Sequence, residues 1–212
     1  RRDSVGIYPP VGVERLQATA YRLQQENRKV AGSSRSAIDK GYFLVVSRLV
    51  GAKGLELAVE TMTKLKLPLK VVGRGAGYSV TEDELKRKAG KSVEFLGYVS
   101  DLELAELYRG ARAFLALSKD EDFGITPVEA MMCGTPVIAY KGGGYKETVV
   151  DRRTGILVGD LTVGSLTMAI GDFVDMEKKG LWKSDEIKKH AQKFSKERFK
   201  KEILEFVKSE VK

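Results

Sequence analysis

One cysteine, one histidine and no long apolar run are the first things to note in this chain of 212 residues. The lone Cys133 excludes an internal disulfide and suits a reducing compartment. Its apolar, helix-like surroundings mark it as a buried, inert thiol rather than a nucleophile. The lone His190 falls among basic C-terminal segments and reads as a solvated surface residue. No apolar stretch reaches the length of a transmembrane helix, and residues 1–10 (RRDSVGIYPP) carry no signal-peptide core. Internal repeats and low-complexity tracts are missing too. So are the G-x-G-x-x-G dinucleotide fingerprint and the Walker phosphate-loop sequence, which disfavours a nicotinamide-dependent oxidoreductase.

What is present is an ordinary globular balance, 42% hydrophobic and 31% charged, over a length that suits one domain with appendages. The formal charge of +8 is uneven: residues 178–212 hold twelve Lys/Arg against six Asp/Glu. Phe199, Ile203, Phe206 and Val207 recur there at helical spacing, so the tail is amphipathic. A surface helix laying one stripe on the domain is the preferred reading. Docking to an anionic membrane surface is the second, and a nucleic-acid contact the third.

Residues 1–41 read as a linker-like segment, extended over 1–12, with a helix around 14–25 and a polar loop at 31–41. Apolar runs at 42–47, 69–72, 93–96, 113–117, 136–140 and 156–158 then alternate with helical patterns at 55–65, 81–89, 100–109, 126–132 and 145–149. Thr81 with Glu84, and Ser100 with Glu103, have the spacing of capping boxes. Strands apolar at every position are buried on both faces, which calls for parallel strands between helices. The fold class is therefore α/β, a Rossmann-like doubly wound parallel sheet over 42–160, with helices of 161–212 packing on the same domain.

In such sheets ligands bind beyond the carboxyl ends of the strands. Here those ends carry Arg48 and Lys53, the glycine loop 73–77 with Arg74, Gly97-Tyr98-Val99, the acidic run 119–124 and Gly142-Gly143-Gly144. Arg48 and Lys53 beside a helix start suit a diphosphate clamp; the alternative is two solvated surface cations, and their position at a strand end favours the clamp. Residues 121–140 (EDFGITPVEAMMCGTPVIAY) hold two acids, Glu121 and Glu129, around a helix start. Thr126, Pro127 and Glu129 fit an N-cap, an N1 proline and the N3 acid of a capping box, so Glu129 either reaches back to an amide or grips a vicinal diol such as a ribose. Asp120 and Asp122 form a D-x-D, too short a motif to argue for a metal, and none is expected.

Residues 121–129, E-D-F-G-I-T-P-V-E, resemble the E-x7-E motif of retaining GT-B glycosyltransferases, family 4. S-R-L-V-G-A-K-G-L (47–55), F-L-G-Y-V (95–99), E-A-M-M-C-G-T-P-V-I-A (129–139) and G-G-Y-K-E (143–147) are similar to that family in matching order, and the likeness spans about residues 5–207. Its flavour is that of the mannosyltransferase-like members. Gly51-Ala52 stands where Pro-Glu is common in the family, and Ala76 where Pro often follows the glycine, with spacing kept.

The resemblance implies the C-terminal, donor-binding half of a GT-B fold and a GDP-, UDP- or ADP-sugar as substrate. It gives Arg48 and Lys53 the diphosphate and the departing nucleotide, Glu121 a hydroxyl of the donor sugar, and Glu129 the ribose hydroxyls. The amides of Phe123, Gly124 and Ile125 would contact sugar and phosphate oxygens, and Gly73, Arg74, Tyr98 and Val99 would line the base pocket. It further implies transfer with retention, no required metal or other cofactor, and a leaving phosphate that helps deprotonate the acceptor. Residues 7–16 resemble the family's interdomain linker, so an N-terminal acceptor-binding domain or subunit is the implied partner and the chain alone is expected to turn over poorly. The alternative is a non-catalytic nucleotide-sugar sensor or partner subunit. A cytoplasmic location is expected, with peripheral contact at the inner membrane face if the basic tail docks; nucleic acid is not expected as a partner.

Overall fold

A computed structural model describes residues 41–49, 53–74 and 80–210. Among them lie six parallel strands, β1 (Tyr42–Val46), β2 (Leu69–Val72), β3 (Val93–Gly97), β4 (Ala111–Ala116), β5 (Val137–Tyr140) and β6 (Gly155–Val158). Their order is β3-β2-β1-β4-β5-β6, the doubly wound arrangement whose direction of progression reverses between β1 and β4. The helices are α1 (Leu55–Leu65), α2 (Val80–Lys88), α3 (Asp101–Gly110), α4 (Ile125–Met132), α5 (Tyr145–Thr148), α6 (Val163–Lys178), α7 (Ser184–Ala191) and α8 (Lys196–Glu210), with a 3-10 turn at Gln192–Phe194. The linker-like start, the helix around 14–25, the loop through residue 40, Val50-Gly51-Ala52 and Gly75-Ala76-Gly77 lie outside the described residues.

Both faces of the sheet are buried, as the apolar strands require. Along β1, Phe43 and Val45 join one apolar layer while Leu44 joins the other; β4 splits Leu115 from Phe114 and Ala116 in the same way. The first layer is closed by α1, whose Leu55, Ala58, Val59 and Met62 repeat at i, i+3, i+4 and i+7, and by α6 through Leu166, Ile170 and Phe173. Phe43 meets Phe173 edge-on at 5.8 Å between ring centres. The second layer is closed by α3, α4 and α7. Truncating a fully buried side chain such as Leu44 or Phe114 to alanine costs about 2–5 kcal/mol. Cys133 sits in the second layer, buried, and burial pushes its thiol up to about 12, so it is inert as expected.

Three expectations change. The Ser100–Glu103 capping box forms at the start of α3, but α2 begins at Val80, which puts Thr81 inside the first turn rather than at the N-cap. The apolar stripe of the tail is only partly laid down. Phe199 and Ile203 are half-buried, whereas Leu204, Phe206 and Val207 stay 58%, 40% and 48% exposed among the described residues. His190 is not a solvated surface residue: it is half-buried at the end of α7, and its Nε2–H donates to the Thr148 carbonyl at 2.8 Å. Burial of the neighbouring helix face, with Ile187 and Ala191 in the core, draws the ring inward.

Candidate active site

The loops beyond the strands stay in register past the sheet. Ser47 N–H donates to the Val72 carbonyl at 3.0 Å, Leu49 N–H to Arg74 at 3.1 Å, and Gly73 N–H to Gly97 at 2.8 Å. A side chain at Gly73 has no room, since a Cβ there would lie 1.8 Å from the Ser47 carbonyl. On the other side of the switch, Gly144 N–H donates to the Glu121 carbonyl at 2.8 Å and ties the β5 loop to the acidic run.

Between these two groups of loops, over the carboxyl ends of β1 and β4, lies a cleft of about 210 Å³. Arg48, Lys53, Glu121, Ile125, Thr126 and Tyr145 line it, so four of the expected site residues, Arg48, Lys53, Glu121 and Ile125, come together at the switch point. Lys53 Nζ donates to a Glu121 carboxylate oxygen at 3.1 Å, with each side chain a little over a quarter exposed. Arg48 is exposed at the mouth.

Two helices begin at this cleft, and neither start is satisfied by a side chain. Gly54 ahead of α1 (φ 70°) and Gly124 ahead of α4 (φ 86°) are left-handed N-caps with no side-chain hydrogen bond, and α4 has no acid in its first turn. By contrast α3 and α6, away from the cleft, are capped by Ser100 and Thr162. First-turn amides without an intrahelical acceptor, at the positive end of a helix dipole, favour an anion.

The left-handed Gly124 also overturns the capping box expected from Thr126 to Glu129. It starts the helix at Ile125, two residues before the expected first helical residue Pro127, so Glu129 lies more than a turn in and cannot reach back. Its carboxylate instead accepts a hydrogen bond of 3.0 Å from the hydroxyl of Tyr108 on α3. Tyr108 is fully buried, and its own carbonyl accepts from the Thr135 hydroxyl. Burial raises the Glu129 pKa, the Tyr108 hydrogen bond opposes that rise, and the charge of Asp101 adds to it. Glu129 is half-buried and is not among the residues lining the cleft.

The residues expected around a base meet at the ends of β2 and β3. The Arg74 guanidinium lies over the Tyr98 ring, 5.5 Å from its centre, and Tyr98 is 71% exposed. Val99 is partly buried against the second apolar layer. Phe123 packs edge-on to Phe194 at 5.6 Å, which anchors the loop before α4. Asp120 and Asp122 are exposed, and among the described residues no three His, Cys, Asp or Glu side chains cluster as metal ligands would.

Two residues of the site were not singled out in the sequence. Tyr145 sits in G-G-Y-K-E, where its burial against the cleft was the missing information; burial and the nearby Glu121 charge raise its phenol pKa, against a hydrogen bond with the Ser118 backbone. Tyr108 lies 21 positions before Glu129, with no local pattern to link them.

A doubly wound parallel sheet with this cleft at its switch point is the Rossmann-like C-terminal half of a GT-B fold. The chain belongs to the group 1 glycosyl transferases, whose family profile matches residues 27–201. D-inositol 3-phosphate glycosyltransferase of Corynebacterium urealyticum is 25% identical over 213 residues, covering 96% of this chain and 50% of that protein. Sucrose-phosphate synthase of Thermosynechococcus elongatus superposes with a TM-score of 0.72 at 26% identity, over 96% of this chain and 49% of that one. The Anabaena protein HepE, crystallised with UDP, gives 0.73 at 22% identity over 92% and 54%. The chain thus spans about half the length of these relatives. No described helix is long and apolar enough to cross a membrane.

Proposed function

We propose that the chain is the donor-binding half of a retaining family 4 glycosyltransferase, which takes a sugar from a nucleoside diphosphate and passes it to an acceptor held by an N-terminal domain or subunit. The observation that carries this reading is the convergence of Arg48, Lys53, Glu121 and the uncapped start of α4 on one switch-point cleft. As the bond from sugar to phosphate breaks, negative charge grows on the leaving diphosphate. Arg48 forks its oxygens, Lys53 opposes it as a point charge, and the helix start adds aligned amides, so a divalent cation is not needed. Lys53 and Glu121 face each other across the cleft at 3.1 Å; with donor bound, Lys53 turns to the diphosphate and Glu121 accepts from a sugar hydroxyl. Glu129, fixed by Tyr108, takes the ribose hydroxyls. Gly73, Arg74, Tyr98 and Val99 flank the base, and the amides of Phe123, Gly124 and Ile125 contact sugar and phosphate. The leaving phosphate takes the proton of the acceptor hydroxyl on the same face, which gives retention.

Residues 42–160 form the donor core in this reading, 161–212 its helical wrap, and 1–41 the link toward the acceptor side. HepE, a fold neighbour, was solved with UDP, which makes uracil one candidate base, while the sequence motifs favour a mannosyl donor. The setting is cytoplasmic, and the basic tail with its exposed Leu204, Phe206 and Val207 gives peripheral contact with an anionic membrane.

Calorimetry with UDP, GDP and ADP tests the reading. One of them binds, and Arg48→Ala weakens that binding by about 1.5–3 kcal/mol, the worth of a charge-assisted contact. Unchanged affinity in Arg48→Ala overturns the clamp, and vigorous transfer by the purified chain alone overturns the need for an acceptor partner.

A further inference from the structure

A cavity of about 500 Å³ opens at the rim of the sheet opposite the cleft. Thr154, one of its lining residues, pairs its carbonyl with the N–H of Val137, the first residue of β5, which fixes the location at the amino ends of the strands. Arg153 comes from the turn before β6. Glu186, Lys189, His190 and Lys193 come from α7 and the 3-10 turn, at i, i+3, i+4 and i+7, and so form one stripe. Arg152 next door is paired with Asp172 at 2.9 Å, but Arg153, Lys189 and Lys193 make no ion pair among the described residues, even with Glu186 on their own stripe.

We infer that this cavity is a second ligand site that takes a phosphate group, held by Arg153, Lys189, Lys193 and His190. A guanidinium fork and two ammonium groups around a space of this size fit a phosphate, and no aromatic ring beyond His190 lines it for a base to stack on. His190 is aimed for the task. Its Nε2–H is committed to the Thr148 carbonyl and its ring edge rests on Phe194 at 5.8 Å, so Nδ1 is the nitrogen left to become a donor. Burial first, then the charges of Lys193 and Arg153, hold the imidazole pKa down, while the Thr148 hydrogen bond pulls it up. A phosphate among those cations reverses their effect, and its binding draws a proton onto Nδ1. Glu186, the one acid on the stripe, faces the same space. The site is independent of the donor cleft. A soluble phosphomonoester and an anionic lipid headgroup present the same chemistry.

His190 is the only histidine, so its imidazole NMR signals in the full chain report this site alone. Titration with inorganic phosphate, and separately with vesicles of phosphatidylglycerol or of phosphatidylcholine, distinguishes the sources. A saturable shift with phosphate, and a His190 titration moved to higher pH, assign a soluble phosphate. A shift seen only with phosphatidylglycerol assigns a headgroup. In either case Arg153→Ala and Lys193→Ala weaken the response by about tenfold, the scale of a charge-assisted hydrogen bond, whereas Lys178→Ala, at a lysine that does not line the cavity, leaves it unchanged. Absence of a saturable shift with both probes overturns the site, as does an equal response in Arg153→Ala, Lys193→Ala and Lys178→Ala.

Discussion

The two acids that flank the start of α4 occupy opposite surroundings. Glu121 stands at the mouth of the cleft, partly exposed and 3.1 Å from the ammonium of Lys53. Glu129, eight positions on, is half-buried along the helix and meets a neutral phenol at 3.0 Å. An ammonium partner neutralises an acid and holds it loosely, because a pair this exposed is worth about 0–1 kcal/mol and screened by salt. A buried phenol orients the acid without cancelling its charge, and the same burial makes that charge harder to carry. The mouth is built for exchange of partners and the root for a fixed direction.

The root gives way most when its phenol is removed. Tyr108→Ala empties a fully buried aromatic site and is expected to lower stability by about 3–5 kcal/mol in urea denaturation. Tyr108→Phe keeps the ring and leaves the Glu129 carboxylate without its donor, for a smaller loss of about 1–3 kcal/mol near neutral pH. Equal losses in the two variants would break the distinction between packing and orientation.

A second prediction sharpens the contrast by pH. The Glu129 pKa is raised above its ordinary 4.5 in the folded state, so the folded protein binds the extra proton in the window above 4.5. Its favourable contribution is complete below 4.5 and is lost as pH rises through the folded value. Glu129→Gln removes that slope, and the difference in melting temperature between variant and wild type across the window checks the sign. A variant less stable than wild type by a growing margin as pH rises would contradict it.

The smallest effect belongs to the mouth. Lys53→Ala changes stability by no more than about 1 kcal/mol, as befits an exposed pair, yet weakens nucleoside-diphosphate binding in calorimetry. A stability loss as large as that of Tyr108→Phe would mean that the mouth is built like the root.

The sequence was most legible where one rule governs many residues. Apolar strands of fixed length between capped helices lead to a doubly wound sheet, and a parallel sheet gathers its strand ends on one rim, so Arg48, Lys53, Glu121 and Ile125 were found together. It was least legible where one backbone angle or one distant partner decides. Thr126-Pro127 has the spacing of a helix start, but the left-handed Gly124 begins the helix earlier and frees Glu129. Tyr108 and Glu129, or Lys53 and Glu121 across 68 positions, meet only through tertiary packing, and no local pattern encodes such pairs. His190 looked like a surface residue because its neighbours are basic, whereas the apolar side of α7 turns it inward.

The glycine caps at Gly54 and Gly124 bear on how such a fold diversifies. Every residue except proline supplies an amide, so a grip made by helix-start amides tolerates most side-chain replacements around it. Only the glycines that set the left-handed turns, at φ 70° and 86°, are locked. Under the proposed function, drift in donor preference would therefore accumulate at side-chain positions such as Arg74 and Tyr98 while the hold on phosphate stayed constant, so that lineages of this chain change which nucleotide they read without relearning how to hold it.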